Sequence, residues 1–488
     1  MKHTTTLLTS AFVLVAASSL YAGDFTVTAP VRPSQGFLND YLRKDDPYMA
    51  AWDVGAQVRL RYEVKDNIVI AGAPGSLDFR DHGADVDNSY LLLRVRPRVG
   101  YTGEWFSAMV EGRHSSSTGD DRNPNAESDG PIDLHQAFVT IGNHKEFPLS
   151  VKIGRQELSY GDERLVGAFA WNNIGRTFDA AKLRWQNPWF GADFFTSRLV
   201  VPDDNNFNVS NEYETFSGMY ATTKKVPKQT TDIYFLSRNA NAQSPALQLG
   251  NLVPTPSARD IYTIGLRGKS NPGELGNWDY TYELMAQFGH FNDTALPAAT
   301  ASLSHEAYAL FAGGGYTWAE MSMTPRVGVE YNYASGDSNP TDGKHETFEN
   351  LFPTNHKFYG FMDFVSLQNI HNVRLQTSIK PIPRLTLLLE GQFFWLADTS
   401  DNFYAVTGAR RGGIAATPGT GYGINPGYSS YVGSEIDLVA TYQVSPHITV
   451  EAAYCHFFRG DYVKQSLSGA AFGSTDANYF YVQTNFSF

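Results

Sequence analysis

The chain has 488 residues, a formal net charge of −12 and one cysteine, Cys455. A single cysteine excludes internal disulfides and multi-cysteine metal sites, and the acidic balance gives no whole-chain basic surface for nucleic acid. With 42% hydrophobic and 18% charged residues the composition is not that of a disordered chain, and no internal apolar run is long enough for a membrane-spanning helix, which leaves a β-barrel open.

The N-terminus reads as a secretory signal. In "MKHTTTLLTSAFVLVAASSLYAGD", Lys2 precedes an apolar stretch from Leu7 to Leu20, and small residues lead to a cleavage point after Ala22, with Ser19 as the alternative. Residues 1–22 are therefore expected to be removed. Residues 23–48 are polar and turn-rich and read as a periplasmic leader, and residues 49–488 as the main fold.

From there one signal recurs to the C-terminus: segments of about ten residues alternate apolar and polar, the length a tilted membrane strand needs. "AQVRLRYEVK" sets Arg59, Arg61, Glu63 and Lys65 against Val58, Leu60, Tyr62 and Val64. "LLLRVRPRVG" places Arg94, Arg96 and Arg98 at every second position, with Leu93, Val95, Pro97 and Val99 on the other face. "WFSAMVEGR", "AAKLRWQ", "IYTIGLRGK", "DYTYELMAQF", "RVGVEYNY", "NVRLQTSIK", "RLTLLLEGQFFW", "SEIDLVATYQV" and "ITVEAAY" follow the same rule, with weaker signals near 132–141, 215–223 and 304–318.

The connections alternate too. Short turns lie at "TG" near 102, "NPW" at 187, "PIP" at 381 and "SP" at 445. Long loops lie near 66–88, 115–131, 159–177, 199–214, 239–258, 335–370 and 397–432. Trp52, Trp105, Trp185, Trp189, Trp278 and Trp318 all fall at short-turn ends, where a membrane–water interface gathers aromatic rings. The last strand, "NYFYVQTNFSF", ends in Phe488, which resembles the signal read by the bacterial barrel-assembly machinery. The pattern predicts an all-β fold, a transmembrane antiparallel β-barrel of about eighteen strands with short periplasmic turns and long extracellular loops. It would sit in outer-membrane lipid of a Gram-negative bacterium.

In such a barrel the oily face meets lipid and the polar face a watery lumen. The pore-lining set is then Arg59, Arg61, Arg94, Arg96, Arg98, Arg113, Lys152, Lys182, Arg184, Arg267, Arg326 and Arg374. Acidic lumen positions are fewer, among them Glu63, Glu111, Asp279, Glu330 and Glu390. A net positive wall concentrates anions, so the expected permeants are an anionic polysaccharide or small anions. The plainer alternative is that these arginines pair with acids on neighbouring strands and stiffen the wall.

Two blocks carry a more specific signal: "GRQELSYGDERLVGAFAWNNIGRTFDAAKLR" at 154–184, and "YASGDSNPTDGKHETFENLFPTNHKFYGFMDF" at 333–364 followed by "NIHNVRL". Both resemble the alginate-export family of Gram-negative outer-membrane porins. The resemblance implies a monomeric eighteen-stranded barrel whose electropositive pore passes an alginate-type polyuronate. A general or small-anion porin for phosphate or carboxylates is the alternative. In the first block Arg155, Glu157, Asp162, Glu163, Arg164, Arg176 and Asp179 form either an inward constriction or a salt-bridge cluster that pins the loop. In the second, Asp337, Asp342, Glu346 and Glu349 are oxygen donors at a spacing that could hold Ca²⁺ in an extracellular loop; no other cofactor is expected. An outer-membrane hydrolase is the remote reading. His114 lies beside Ser115, Ser116 and Ser117, but no nucleophile elbow, zinc-binding helix or phosphate loop occurs, so no enzyme is expected.

Overall fold

The computed structural model describes residues 36–67, 79–80, 87–121, 127–143, 145–203, 206–241, 245–248, 251–256, 258–292, 302–411 and 417–488. The expected signal sequence and the first part of the leader lie outside them.

Eighteen long strands form one closed antiparallel barrel. They are β1 Trp52–Asp66, β2 Asn88–Thr102, β3 Phe106–Thr118, β4 Asp129–Ile141, β5 Leu149–Gln156, β6 Phe178–Gln186, β7 Phe190–Val201, β8 Glu214–Thr223, β9 Gln229–Ala240, β10 Arg259–Ser270, β11 Trp278–Asn292, β12 Ser302–Thr317, β13 Arg326–Ala334, β14 Ile370–Ile382, β15 Leu385–Leu396, β16 Tyr431–Ser445, β17 Ile448–Arg459 and β18 Ala477–Ser487. The last strand closes on the first, from Gln57 opposite Ser487 to Asp66 opposite Asn478, so no edge is left unpaired. The three weak signals are β4, β8 and β12. A connection at 460–476 adds to the long loops read from the sequence.

Alternation along β1 fixes the register, because a slip of one residue would turn every side chain to the wrong face. Arg61 is 0% exposed, whereas its neighbours Leu60 and Tyr62 are 39% and 44% exposed. The same outward apolar positions recur as Val110, Ile153, Ile233, Leu284, Leu375 and Leu438, which gives the barrel a lipid-facing belt. The six tryptophans sit on the short-turn rim: Trp52 and Trp278 begin strands, Trp185 lies one residue before the end of β6, and Trp105, Trp189 and Trp318 lie in or beside turns. No helix among the described residues is long and apolar enough to cross a membrane.

Two features depart from the sequence reading. The described part of the leader is helical. Helix α1, Phe37–Asp45, docks at the short-turn lip through Phe37 against Phe488, ring centroids 5.2 Å apart, and Asn39 against Asp53 and the Val54 N–H. The second departure is in the lumen. Its long-loop half holds an apolar core in which Leu165, Val166, Phe348, Leu351, Phe352 and Tyr359 from loops pack on wall aromatics such as Phe178, Phe216 and Phe311. A uniformly polar inner face does not describe this half.

Candidate functional site

The site is built by two loops that turn inward. The stretch after β5, residues 157–177, crosses the lumen from one wall to the other. On the near wall, β1 to β3, its carbonyls are gripped by the arginine rows. Arg59 donates to Ala170 O at 2.9 Å and Asn172 O at 3.2 Å, and Arg94 donates to the same two carbonyls at 2.9 and 3.2 Å. Arg61 donates to Trp171 O at 2.8 Å and stacks on the Trp171 ring at 3.9 Å. Arg96 and Arg113 reach Ile174 O, and Ser115 donates to Asn173 O at 2.6 Å. Alternation on three adjacent strands thus points one face of guanidinium groups at one run of loop carbonyls.

On the far wall the same loop is held by charge. Asp162 meets Arg267 at 2.8 Å and Lys269 at 2.9 Å. Arg164, almost fully buried, pairs with Glu330 at 2.7 Å, donates to Asn332 at 2.8 Å and lies over the Phe311 and Phe358 rings. Glu157 returns to the near wall, 2.8 Å from His135 Nε2 and 3.3 Å from Arg96. Burial alone would raise its pKa, but His135 and Arg96 outweigh that and hold it at about 2.

The second loop, residues 335–369, locks onto the first. Val166 and Phe352 form a parallel bridge, Phe352 N–H donates to Leu165 O at 2.8 Å and Thr354 N–H to Glu163 O at 2.9 Å. Arg176 ties both together by donating to Gly167 O, Phe352 O and Pro353 O. Glu349 anchors the second loop to Arg238 of β9 and Arg259 of β10, and Gln287 of β11 brackets its backbone. Burial pushes the Glu349 pKa up, and Arg259 and Arg238 more than reverse it, to about 2. His356 stacks on Trp171 at 3.7 Å.

Arg98 pairs with Asp53, Arg113 with Asp129, Lys182 and Arg184 both with Asp193, Arg326 with Asp279 and Arg374 with Glu390. Lys152 lies over the Phe138 ring at 3.5 Å. Arg155 and Asp179 pair at 2.9 Å across β5 and β6, and Arg155 also donates to Leu134 O and Asn208 O, so this pair is separate from the inward cluster. Asp337 accepts from the Asn339 N–H, and its own N–H donates to Asp401. Asp342 accepts from the Lys344 N–H and Glu346 from Ser338, while Glu349 is taken by arginines. Among the described residues no group of three or more His, Cys, Asp or Glu side chains is arranged to hold a metal ion.

Asp129 and Asp193, which take three of the candidate cations, have no place in the sequence reading; Asp193 sits in the aromatic strand β7, where alternation is hard to see. Arg59 and Arg94 stand apart from the paired cations, since their partners are carbonyl and amide oxygens and no described carboxylate lies within ion-pair distance.

A closed eighteen-strand barrel with a lipid belt, an aromatic rim and an inward loop is the architecture of an outer-membrane porin. Solved structures agree in fold. The chain is similar to Acinetobacter baumannii OccAB1 (TM-score 0.55, 10% identity, covering 94% of this chain and 99% of that one). It is similar to Pseudomonas aeruginosa OccD3 (0.52, 12%, 90% and 91%) and to Pseudomonas aeruginosa OccK2 in complex with glucuronate (0.53, 12%, 89% and 98%). A comparison with curated protein sequences finds no match. The chain belongs to the alginate export family, whose pattern it matches over residues 50–472, and its place is the outer membrane.

Proposed function

We propose that this porin is an anion-preferring channel, acting as a monomer, that passes carboxylate-bearing saccharides, with an alginate-type polyuronate as the first candidate. The observation that carries the reading is the arginine face of β1 and β2. Arg59 and Arg94 donate to neutral oxygens and have no described carboxylate within ion-pair distance, so the nearby Glu63, Glu127 and Glu157 offset their field only in part and what remains favours anions in the adjoining lumen. The family match and the glucuronate in one structural relative, OccK2, support the same chemistry.

A second reading, a channel for small carboxylates, is favoured by one observation: the two loops interlock across the lumen at Leu165, Phe352 and Arg176. An extended polymer would need that lock to open, whereas a small solute would need only a gap beside it. Planar-bilayer recordings with oligouronates of increasing length separate the two. Block that strengthens with length supports the polyuronate, and block that is strongest for the monomer supports the small-solute channel. Cation selectivity would overturn both.

A further inference from the structure

β2 and β11 stand nine strands apart in the eighteen-strand ring, so the wall facing the arginine rows is formed around β10 to β14. There a cavity of about 640 Å³ lies between the tip of the first inward loop, the 271–277 turn and the wall, a size suited to a small solute. β12 lines it with Gly313, which faces inward without a side chain. A Cβ on Gly313 would press on Glu330 Cβ at 3.0 Å, and one on Gly315 would collide with the Arg326 guanidinium.

Charge inside the cavity is almost fully matched. Arg164 is held by Glu330, Lys269 by Asp162 and Arg326 by Asp279, while Glu163 accepts from Thr354 Oγ1 at 2.9 Å. The exception is Lys357, at the end of the 3-10 turn Asn355–Lys357. It lines the cavity and is exposed to it. No described carboxylate comes within ion-pair distance, and its recorded contact is the Phe358 ring at 5.3 Å. Desolvation by the surrounding protein lowers its pKa, Asp162 and Glu163 offset part of this, and Lys269 and Arg164 add to it, so the ammonium gains from any anion that enters. Gln376 of β14 and Asn277 of the turn also line the cavity, and because their amide nitrogens donate to Glu390 and Tyr316 their amide oxygens are left as acceptors.

We propose that this alcove is a binding stop for a hydroxylated monocarboxylate of sugar-acid size, its carboxylate on Lys357 and its hydroxyls on Gln376 and Asn277. The proposal rests on the anion-passage reading and assigns it a place away from the arginine rows.

The test uses the purified full chain in planar bilayers, with glucuronate as the probe and glucose as the uncharged control. Current block and the reversal potential in a salt gradient are measured for the unmodified protein, Lys357→Gln and Lys357→Arg. Losing a charge-assisted contact should raise the half-blocking concentration of glucuronate about tenfold in Lys357→Gln. Lys357→Arg should stay within about twofold of the unmodified protein. No block by glucuronate, equal block by glucose, or an unchanged half-blocking concentration in Lys357→Gln would overturn the alcove while anion selectivity stands. Cation selectivity of the unmodified barrel is a different readout and would overturn the passage reading itself.

Discussion

Arg176 and the pair Arg59 and Arg94 illustrate two uses of a buried guanidinium. Arg176 spends its donors on carbonyls of both loops, Gly167 O, Phe352 O and Pro353 O. Removing it leaves buried carbonyls without a donor, at about 1–3 kcal/mol for each group left unsatisfied. Arg176→Met should therefore loosen the loop junction, and single-channel recordings should show a higher mean conductance and more frequent open bursts than the unmodified protein. An unchanged conductance histogram would mean that the junction does not limit flow. Arg59 and Arg94 also hold carbonyls, and in the proposed reading their charge is what favours anions. Their combined replacement by glutamine retains a shorter polar amide and removes the charge. The reversal potential in a salt gradient should move toward that of a non-selective pore, with anion preference falling by roughly several-fold. A single replacement at Arg326, whose charge is already matched by Asp279 at 2.7 Å, should move it much less.

At the scale of elements, the 335–369 loop carries carboxyl groups with opposite pH responses. Glu349 is held at about 2, below its ordinary 4.5. Its contribution to loop anchoring is complete above 4.5 and is lost as pH falls toward 2. Asp337 is shifted the other way, to about 6, by burial first and then by Asp401. Its contribution is complete below its ordinary 3.8 and is lost as pH rises through about 6. Conductance recorded from pH 7 down to pH 3 should accordingly rise at the acid end as the Glu349 anchor weakens. In Glu349→Gln that acid-end rise should be absent, because the anchor is already reduced at neutral pH.

Helix α1 makes a separate prediction. Asn39 is 1% exposed and bonds both Asp53 and the Val54 N–H, so Asn39→Ala should cost about 1–2 kcal/mol of docking. Tryptic cleavage after Arg43 or Lys44 in the folded barrel should speed up. This helix was not legible in the sequence. Its flanks are turn-rich, Gly36 supplies no side-chain cap, and what orders it is a tertiary contact with the C-terminal strand end. A side chain at Gly36 would run into the Phe488 carbonyl, a constraint between the two ends of the chain that no local pattern reports. The wall, by contrast, was legible because each strand repeats the same alternation independently, so Arg94, Arg96 and Arg98 declare their shared face without knowledge of their neighbours. The inward loops were legible only as charge-dense blocks. Whether Arg164 finds Glu330 or Asp162 finds Arg267 depends on a loop crossing the lumen, and that crossing is set by the apolar residues Leu165, Val166 and Phe352, whose spacing has no period.

For the molecule as a whole, the ring is divided by charge. β1 and β2 supply Arg59 and Arg94 without carboxylate partners, while β15 and β16 supply the buried acids Glu390, Glu435 and Asp437. Between the walls the loops form a crossbar, and the alcove at Lys357 lies to one side of it. In the proposed reading, passage is governed by two things: the field of the cations without carboxylate partners and the freedom of the crossbar. The direct test of the central claim is the reversal potential of the purified barrel in a planar bilayer under a salt gradient. An anion-preferring barrel gives a potential of the sign that marks anion preference, reduced in the Arg59→Gln, Arg94→Gln double variant. A potential of the opposite sign, or one unmoved by the double variant, would contradict the claim.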